Sequence, residues 1–210
     1  MPDSNTVLAS LSAGDAISVV YFPTTSVISL VVALSSGEMV EAAMVGRDGI
    51  VGAAAALDGR ISLSQAIVQL PGNARTCTVD ALATVAFQSR TLISTLVRHE
   101  QTVYAQAQQS AACMASHDVQ ARFCRWLLRA RDLARSDTLP FTQEFLAEMM
   151  GVRRTSVSPV AHTLQQAGMI RYTRGKIEIL DVEGLRETTC ECYEAIRSNY
   201  SRLLGRPNGT

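Results

Sequence analysis

Arg153, Arg154, Thr155 and Ser158 form the densest group of side chains in this sequence that could do chemistry. At the start of a helix they share an outward face, with His162 further along. Arginine is the side chain best fitted to the O6 and N7 acceptors of guanine, and threonine or serine can serve bases or phosphate. Two adjacent arginines at a helix start oppose its dipole, so a merely solvated face accounts poorly for them. Arg174 and Lys176, the latter the only lysine in the chain, add two cations that can reach phosphates.

These residues need elements that hold them in place, and residues 142–180 supply them. Thr142 is fitted to cap a helix, with Glu144 near its positive end and Phe145, Leu146, Met149 and Met150 on its buried face. Gly151 takes the left-handed turn. A second helix follows to about residue 167, with Val157, Val160, Ala161 and Leu164 spaced to face inward, and Gly168 ends it. Ala147 is small where the two helices cross, Val152 plugs the turn, and Leu146, Met150, Val157 and Val160 fill the space between them. All of these positions suit a helix-turn-helix, whose second helix enters the major groove of DNA. Beyond Gly168, Ile177 and Ile179 alternate with polar neighbours after the Arg174-Gly175 turn, which predicts a β-hairpin carrying both wing cations.

The remainder divides by character. Residues 6–88 read as short strands at 17–22, 27–34, 39–45 and 66–70, broken by turn residues, with one or two turns of possible helix at 51–57. From residue 89 to 116 there is neither Pro nor Gly, which predicts a helix or helix pair. Val103, Ala107, Ser110 and Met114 recur on it at spacings of 4, 3 and 4. Such a stripe suits close helix approach across a dimer axis, or packing on the chain's own β-domain. Asp118 is fitted to cap the next helix, with Phe123, Trp126, Leu127 and Ala130 on one face, and residues 136–140 end it. The expected fold class is α+β: an antiparallel β-roll over 1–88, a linking and dimerisation helix over 89–117, a winged helix-turn-helix over 118–185, and a C-terminal helix over 186–210.

Bulk properties narrow the function. The chain has 210 residues, 47% of them hydrophobic, so a packed globular protein is expected. No apolar run approaches the ~18–20 residues of a membrane span, and residues 1–5 lack the features of a signal peptide, so the expected location is the cytoplasm. Charge is uneven: residues 1–100 hold 5 Arg and 8 Asp/Glu, residues 118–176 hold 10 Arg/Lys and 5 Asp/Glu. An anionic partner is expected at the back half. No Ser/His/Asp or Cys/His constellation and no phosphate-cradling Gly loop is evident, so enzymatic activity is not expected. The five cysteines (Cys77, Cys113, Cys124, Cys190 and Cys192) are expected as free thiols.

A β-roll, a long helix, a hinge at Asp118-Val119-Gln120-Ala121-Arg122, and Thr142-Gln143-Glu144 leading to Gly151-Val152-Arg153-Arg154 follow one another here. That order resembles the Crp–Fnr family of bacterial regulators over nearly the whole chain, most specifically from Asp118 to Leu185. The resemblance implies a homodimer joined through the long helix, a signal-sensing roll, and a C-terminal domain that binds palindromic double-stranded DNA. It also implies RNA polymerase as a further partner.

Three departures shape the expectation. Where cyclic-nucleotide members carry Gly-Glu-Leu and Arg-Ser/Thr-Ala, this chain has Gly49-Ile50-Val51 and Ser64-Gln65-Ala66. Without an arginine to pair the phosphate, cyclic nucleotide is not expected as effector, and Arg60 is the one remaining substitute. No cysteine precedes Cys77, so the amino-terminal iron–sulfur site of the oxygen-sensing branch has no counterpart. Cys190 and Cys192, two apart on a predicted helix, would point about 200° apart and could not share a metal, while His99, His117 and His162 offer no paired spacing. No cofactor or metal is therefore expected, and the effector is unassigned. Finally, Pro159 interrupts the second helix, which predicts a kink or a frayed or 3₁₀ first turn. It leaves open a rival reading, a small-molecule-binding roll with a degenerate helix-turn-helix.

Overall fold

The computed structural model describes residues 11–205; the ends of the expected 1–88 and 186–210 segments lie outside the described residues. Five short strands build the amino-terminal part: β1 (Val19–Pro23), β2 (Val27–Ala33), β3 (Met39–Val45), β4 (Gln65–Leu70) and β5 (Ala74–Thr78). All pair antiparallel, in a sheet of order β3-β2-β4 and a β1-β5 ribbon. The β-branched Val27, Ile28 and Val31 are buried in β2, where branched side chains suit a pleated surface. Between β3 and β4 runs a 3₁₀ turn, Ala53–Leu57, where the sequence left room for a helical turn. Its Ala53 and Ala56 are small enough to sit beneath Leu96.

The reading of 6–88 as strands fails at its end, where helix α1 (Val79–Phe87) follows β5 directly. The Thr78 hydroxyl accepts from the Ala81 N–H at 3.3 Å and Asp80 lies in the first turn, so the cap was present in the sequence. Helix α2 (Arg90–Ser116) is a single 27-residue rod. Its buried face (Leu96, His99, Thr102, Gln106, Ser110 and Cys113) packs against β3 and the last helix, α7 (Cys192–Leu204).

Past the hinge, α3 (Val119–Ala134) is capped by Asp118, whose carboxylate accepts from the Ala121 N–H at 2.9 Å. Then come β6 (Thr138–Leu139), α4 (Gln143–Met149), α5 (Arg154–Gln166), β7 (Ile170–Thr173), β8 (Lys176–Ile179) and α6 (Val182–Thr188). The expected hairpin is β7-β8, and β6 joins it in a sheet of order β6-β8-β7, so residues 136–140 are more than a linker.

The largest core unites the two halves. Val27, Val31, Met44 and Leu70 of the roll pack in one cluster with Phe123, Trp126 and Leu127 of α3 and with Leu146 and Val157. Trp126 meets Phe141 edge-on at 4.9 Å between ring centroids, within the preferred range for aromatic pairs. A buried ion pair, Arg129 to Asp48 at 2.7 Å, fastens α3 to the loop after β3. Among the described residues no helix is long and apolar enough to cross a membrane.

Candidate nucleic-acid interface

The turn between α4 and α5 is set by its hydrogen bonds. Thr142 caps α4 by accepting from the Phe145 N–H at 3.1 Å. At the other end, the Gly151 N–H donates to the Glu148 carbonyl at 3.0 Å and the Val152 N–H to the Ala147 carbonyl at 2.9 Å. This is the paired bonding of a Schellman ending, with Gly151 at φ +61°. A Cβ at Gly151 would also lie 2.9 Å from Cγ2 of Val40, so the roll presses directly on this turn. The buried Arg122 guanidinium donates to the Met150 carbonyl and closes the α4 end from the α3 side.

Leu146, Ala147, Met150 and Val157 are buried between the helices, as are Ala161 and Leu164. Val152 and Val160 are half-buried at the rim of the same core. The opposite side of α5 presents Arg153, Arg154 and Thr155 to solvent. Arg153 occupies the N-cap position without a side-chain cap bond, since a guanidinium has no acceptor to offer the free N–H groups there. Ser158 differs: half-buried, its hydroxyl lies 2.7 Å from the Gln143 carboxamide oxygen and 3.3 Å from the Arg154 carbonyl. It braces α4 against α5.

Pro159 is exposed, and residues 154 to 166 form one α-helix around it. The first turn carries one bond of the expected 3₁₀ kind, from the Ser156 N–H to the Arg153 carbonyl at 2.9 Å, without interrupting the helix. The Ser158 hydroxyl supplies a local bond at the Arg154 carbonyl, one residue before the Thr155 carbonyl that Pro159 cannot serve.

In the wing, Ile170, Ile177 and Ile179 are buried while Arg174 and Lys176 are exposed. Thr173 pairs with Lys176, and Gly175 between them takes φ +74°. The Tyr172 N–H donates to the Gln165 side chain at 2.8 Å, which fixes the wing to the end of α5. Gln143, Gln165 and Arg122 are thus positioning residues that sequence reading missed; polar side chains at unremarkable spacings give no periodic signal.

The other expected residues are distributed as follows. On α2, Val103 packs on the roll cluster of Tyr21, Ile28, Val45 and Val51, Ser110 is buried in its own chain, and Ala107 and Met114 are half-buried. His99 is 2% exposed and accepts from the Ile50 N–H at 2.9 Å through Nε2. Arg60 is paired with Asp80 at 2.9 Å. Cys190 and Cys192, expected to point apart on one helix, do not share a helix and do not point apart. Helix α6 stops at Thr188, and Cys190 lies in the turn that leads to Cys192, the first residue of α7. The turn brings both sulfurs to the same side as Cys113 and His117.

Two packed helices joined by a glycine turn, an exposed basic helix start and a basic hairpin define a winged helix-turn-helix module. Residues 121–188 match the Crp-like helix-turn-helix domain. The fold is similar to that of a CRP/FNR-family transcriptional regulator from Thermus thermophilus, with 22% identity over 86% of this chain and 96% of that one and a TM-score of 0.67. FixK2 from Bradyrhizobium japonicum is similar at 14% identity over 87% and 96% of the two chains, with a TM-score of 0.71. A CRP-family transcriptional regulator, also from Thermus thermophilus, shares 18% identity over 96% and 99%, with a TM-score of 0.63. No curated protein matches the chain in sequence. The chain carries a Crp-like helix-turn-helix domain on the fold of the Crp–Fnr transcriptional regulators.

Proposed function

We propose that the protein is a homodimeric, sequence-specific DNA-binding transcription regulator that inserts the start of α5 into the major groove. The observation that carries this reading is the exposure of Arg153, Arg154 and Thr155 on the face of α5 opposite its buried Val157, Ala161 and Leu164. Arg174 and Lys176 on the wing contact phosphates in this arrangement. Ser158 is available for DNA only by giving up its bond to Gln143, so its first role is to position α5. The continuity of α5 through Pro159 weighs against a degenerate helix-turn-helix.

The dimer forms along α2. Its outward face carries Val97 at 50% and Tyr104 at 64% exposure, with exposed Gln101, Gln108, Ala111 and Ala115 in register. These positions lie at the alternating three- and four-residue spacing of a coiled-coil seam, roughly a third of a turn from the stripe of Val103, Ala107, Ser110 and Met114. The roll responds to a signal other than a cyclic nucleotide. The Ile50 N–H of the degenerate cassette is already bonded to His99, and a Cβ at Gly49 would meet His99 Nε2 at 2.9 Å.

The test is operator selection followed by binding across a salt series. A palindromic consensus and a steep loss of affinity with salt are expected, because each phosphate contact releases counterions. Binding that shows neither sequence preference nor salt dependence would reject the reading.

A further inference from the structure

We propose that Cys113, His117, Cys190 and Cys192 hold one zinc ion where the end of the long helix meets the turn before the C-terminal helix. Cys113 lies in the last turn of α2 and His117 is its C-cap, with extended backbone. Cys190 and Cys192 approach from the α6–α7 turn. One ligand atom from each of the four lies within 4.8 Å of every other. Sγ of Cys113 is 3.5 Å from Sγ of Cys190, and Sγ of Cys192 is 3.6 Å from Nδ1 of His117. A tetrahedral zinc with ordinary bond lengths sets sulfur–sulfur edges of about 3.8 Å and sulfur–nitrogen edges of about 3.5 Å. The four groups need only small adjustments to meet that shape.

The surroundings are those of a metal site rather than of a packing cluster. Nε2 of His117, the nitrogen turned away from the sulfurs, lies 3.2 Å from the Glu191 carboxylate. A carboxylate on the distal nitrogen fixes the tautomer and raises the basicity of a metal-bound imidazole. The Gln109 amide donates to Sγ of Cys192 at 3.0 Å, a bond that suits a thiolate. Apolar packing would require none of these polar partners, and among the described residues Ala121 is the one partly buried apolar side chain packed against the three buried cysteines. A surface cleft lined by Arg186, Thr189, Cys190 and Glu191 adjoins the cluster. Thiolate–imidazole donors in a closed tetrahedron favour zinc over magnesium or calcium, and four filled positions make the site structural. Ligands this close together suit one metal ion, whereas an iron–sulfur cluster spreads its cysteines over separate irons. Bound zinc would lock the hinge at Asp118 by tying α2 to the α6–α7 turn. The site stands whether or not the DNA-binding reading holds.

The full chain, stripped of metal and kept reduced, is titrated with cobalt(II) as a spectroscopic stand-in for zinc. Expected are intense visible bands of tetrahedral cobalt and sulfur-to-cobalt charge transfer, saturating at one cobalt per chain and abolished by added zinc. Cys113→Ser and Cys192→Ser should each lose part of the charge-transfer intensity. Glu191→Gln alters an exposed side chain and leaves the fold intact. It should weaken binding about tenfold to a hundredfold while preserving the tetrahedral spectrum. Weak octahedral bands, spectra unchanged in both cysteine variants, or a purified protein carrying iron and sulfide in place of zinc would each overturn the proposal.

Discussion

Arg154 is exposed at the first position of α5, one residue past the N-cap, where a guanidinium can address a base edge. Arg154→Ala should therefore cost about 1–3 kcal/mol on the selected operator and relax preference at one base pair. Binding to single-base operator variants measures it, and an equal loss on every sequence would make Arg154 a phosphate contact instead. Not every arginine of the basic half is of this kind. Arg122, Arg125 and Arg129 are buried in α3, so the positive balance read from the sequence overstates the charge facing solvent. Periodicity could not reveal this, because nothing local marks an arginine that is to be paired inside. Glu41 is a second buried ionisable group, hydrogen-bonded by the Ser29 hydroxyl at 2.5 Å. Burial pushes its carboxyl up to about 7 despite the opposing bond from Ser29 and the charge of Arg125. A raised carboxyl means the folded state holds its proton more tightly than the unfolded one. Stability is then full below the unfolded value and falls as pH rises toward the folded value, by an amount on the order of 3 kcal/mol. Glu41→Gln should flatten that fall and leave the variant more stable than the wild type at about pH 8. Urea unfolding across the range from about pH 5 to pH 8 decides it, and parallel profiles would show Glu41 to be ionised in the fold.

Elements were legible where their punctuation was. The helix-turn-helix follows from Gly151 and the apolar spacing on either side, and the hairpin from the alternation around Gly175, because each of these residues has one steric purpose. Helix α1 went unread because it starts directly after Thr78, the last residue of β5 and its own N-cap, and carries Val79, Val85 and Phe87, which are residues common in strands. Strand β6 has two residues and no period of its own; only its pairing to Glu178 and Ile177 creates it. In the wing, Arg174→Ala should weaken binding to all DNA sequences alike and lower the salt slope by about one unit. An unchanged slope would remove the hairpin tip from the interface. In α5, Pro159 lies in the second turn of a continuous helix, where its ring removes one backbone bond. Replacing it by Val should recover about one or two kcal/mol and raise the Tm by a few degrees, measured by calorimetry. Operator affinity measured on the same variant separates two roles for the proline. A fall in affinity with a gain in stability means that the ring aims Arg153 and Arg154, whereas a gain in both means that it is only a lesion.

At the scale of the whole molecule, the proposed dimer would give the long helix two jobs, one toward its own roll and one toward a second copy. Thr102, Gln106 and Ser110, polar by type, are buried against the roll and α7, while Val97 and Tyr104 face outward. The stripe of Val103, Ala107, Ser110 and Met114 therefore falls between the two faces: Val103 and Ser110 are engaged within their own chain. A small-residue period identifies a surface for close approach but not what approaches it. The exposed face, with Ala111 and Ala115 continuing the line of Tyr104, is the one the proposed dimer would use. Tyr104→Arg with Ala111→Glu places charge on that seam without touching the buried side, so the chain should stay folded and sediment as a monomer. Ala107→Glu, on the half-buried stripe, should leave the dimer's mass unchanged if the outward face is the seam. The reverse pattern of masses would return the interface to the stripe. Loss of the dimer halves the number of recognition helices and wings on one operator, and with them the phosphates neutralised. The slope of log affinity against log salt should then fall to roughly half in the Tyr104/Ala111 variant. A full slope from a sedimenting monomer would mean that one chain alone covers the operator, and the palindromic mode of binding would have to be abandoned.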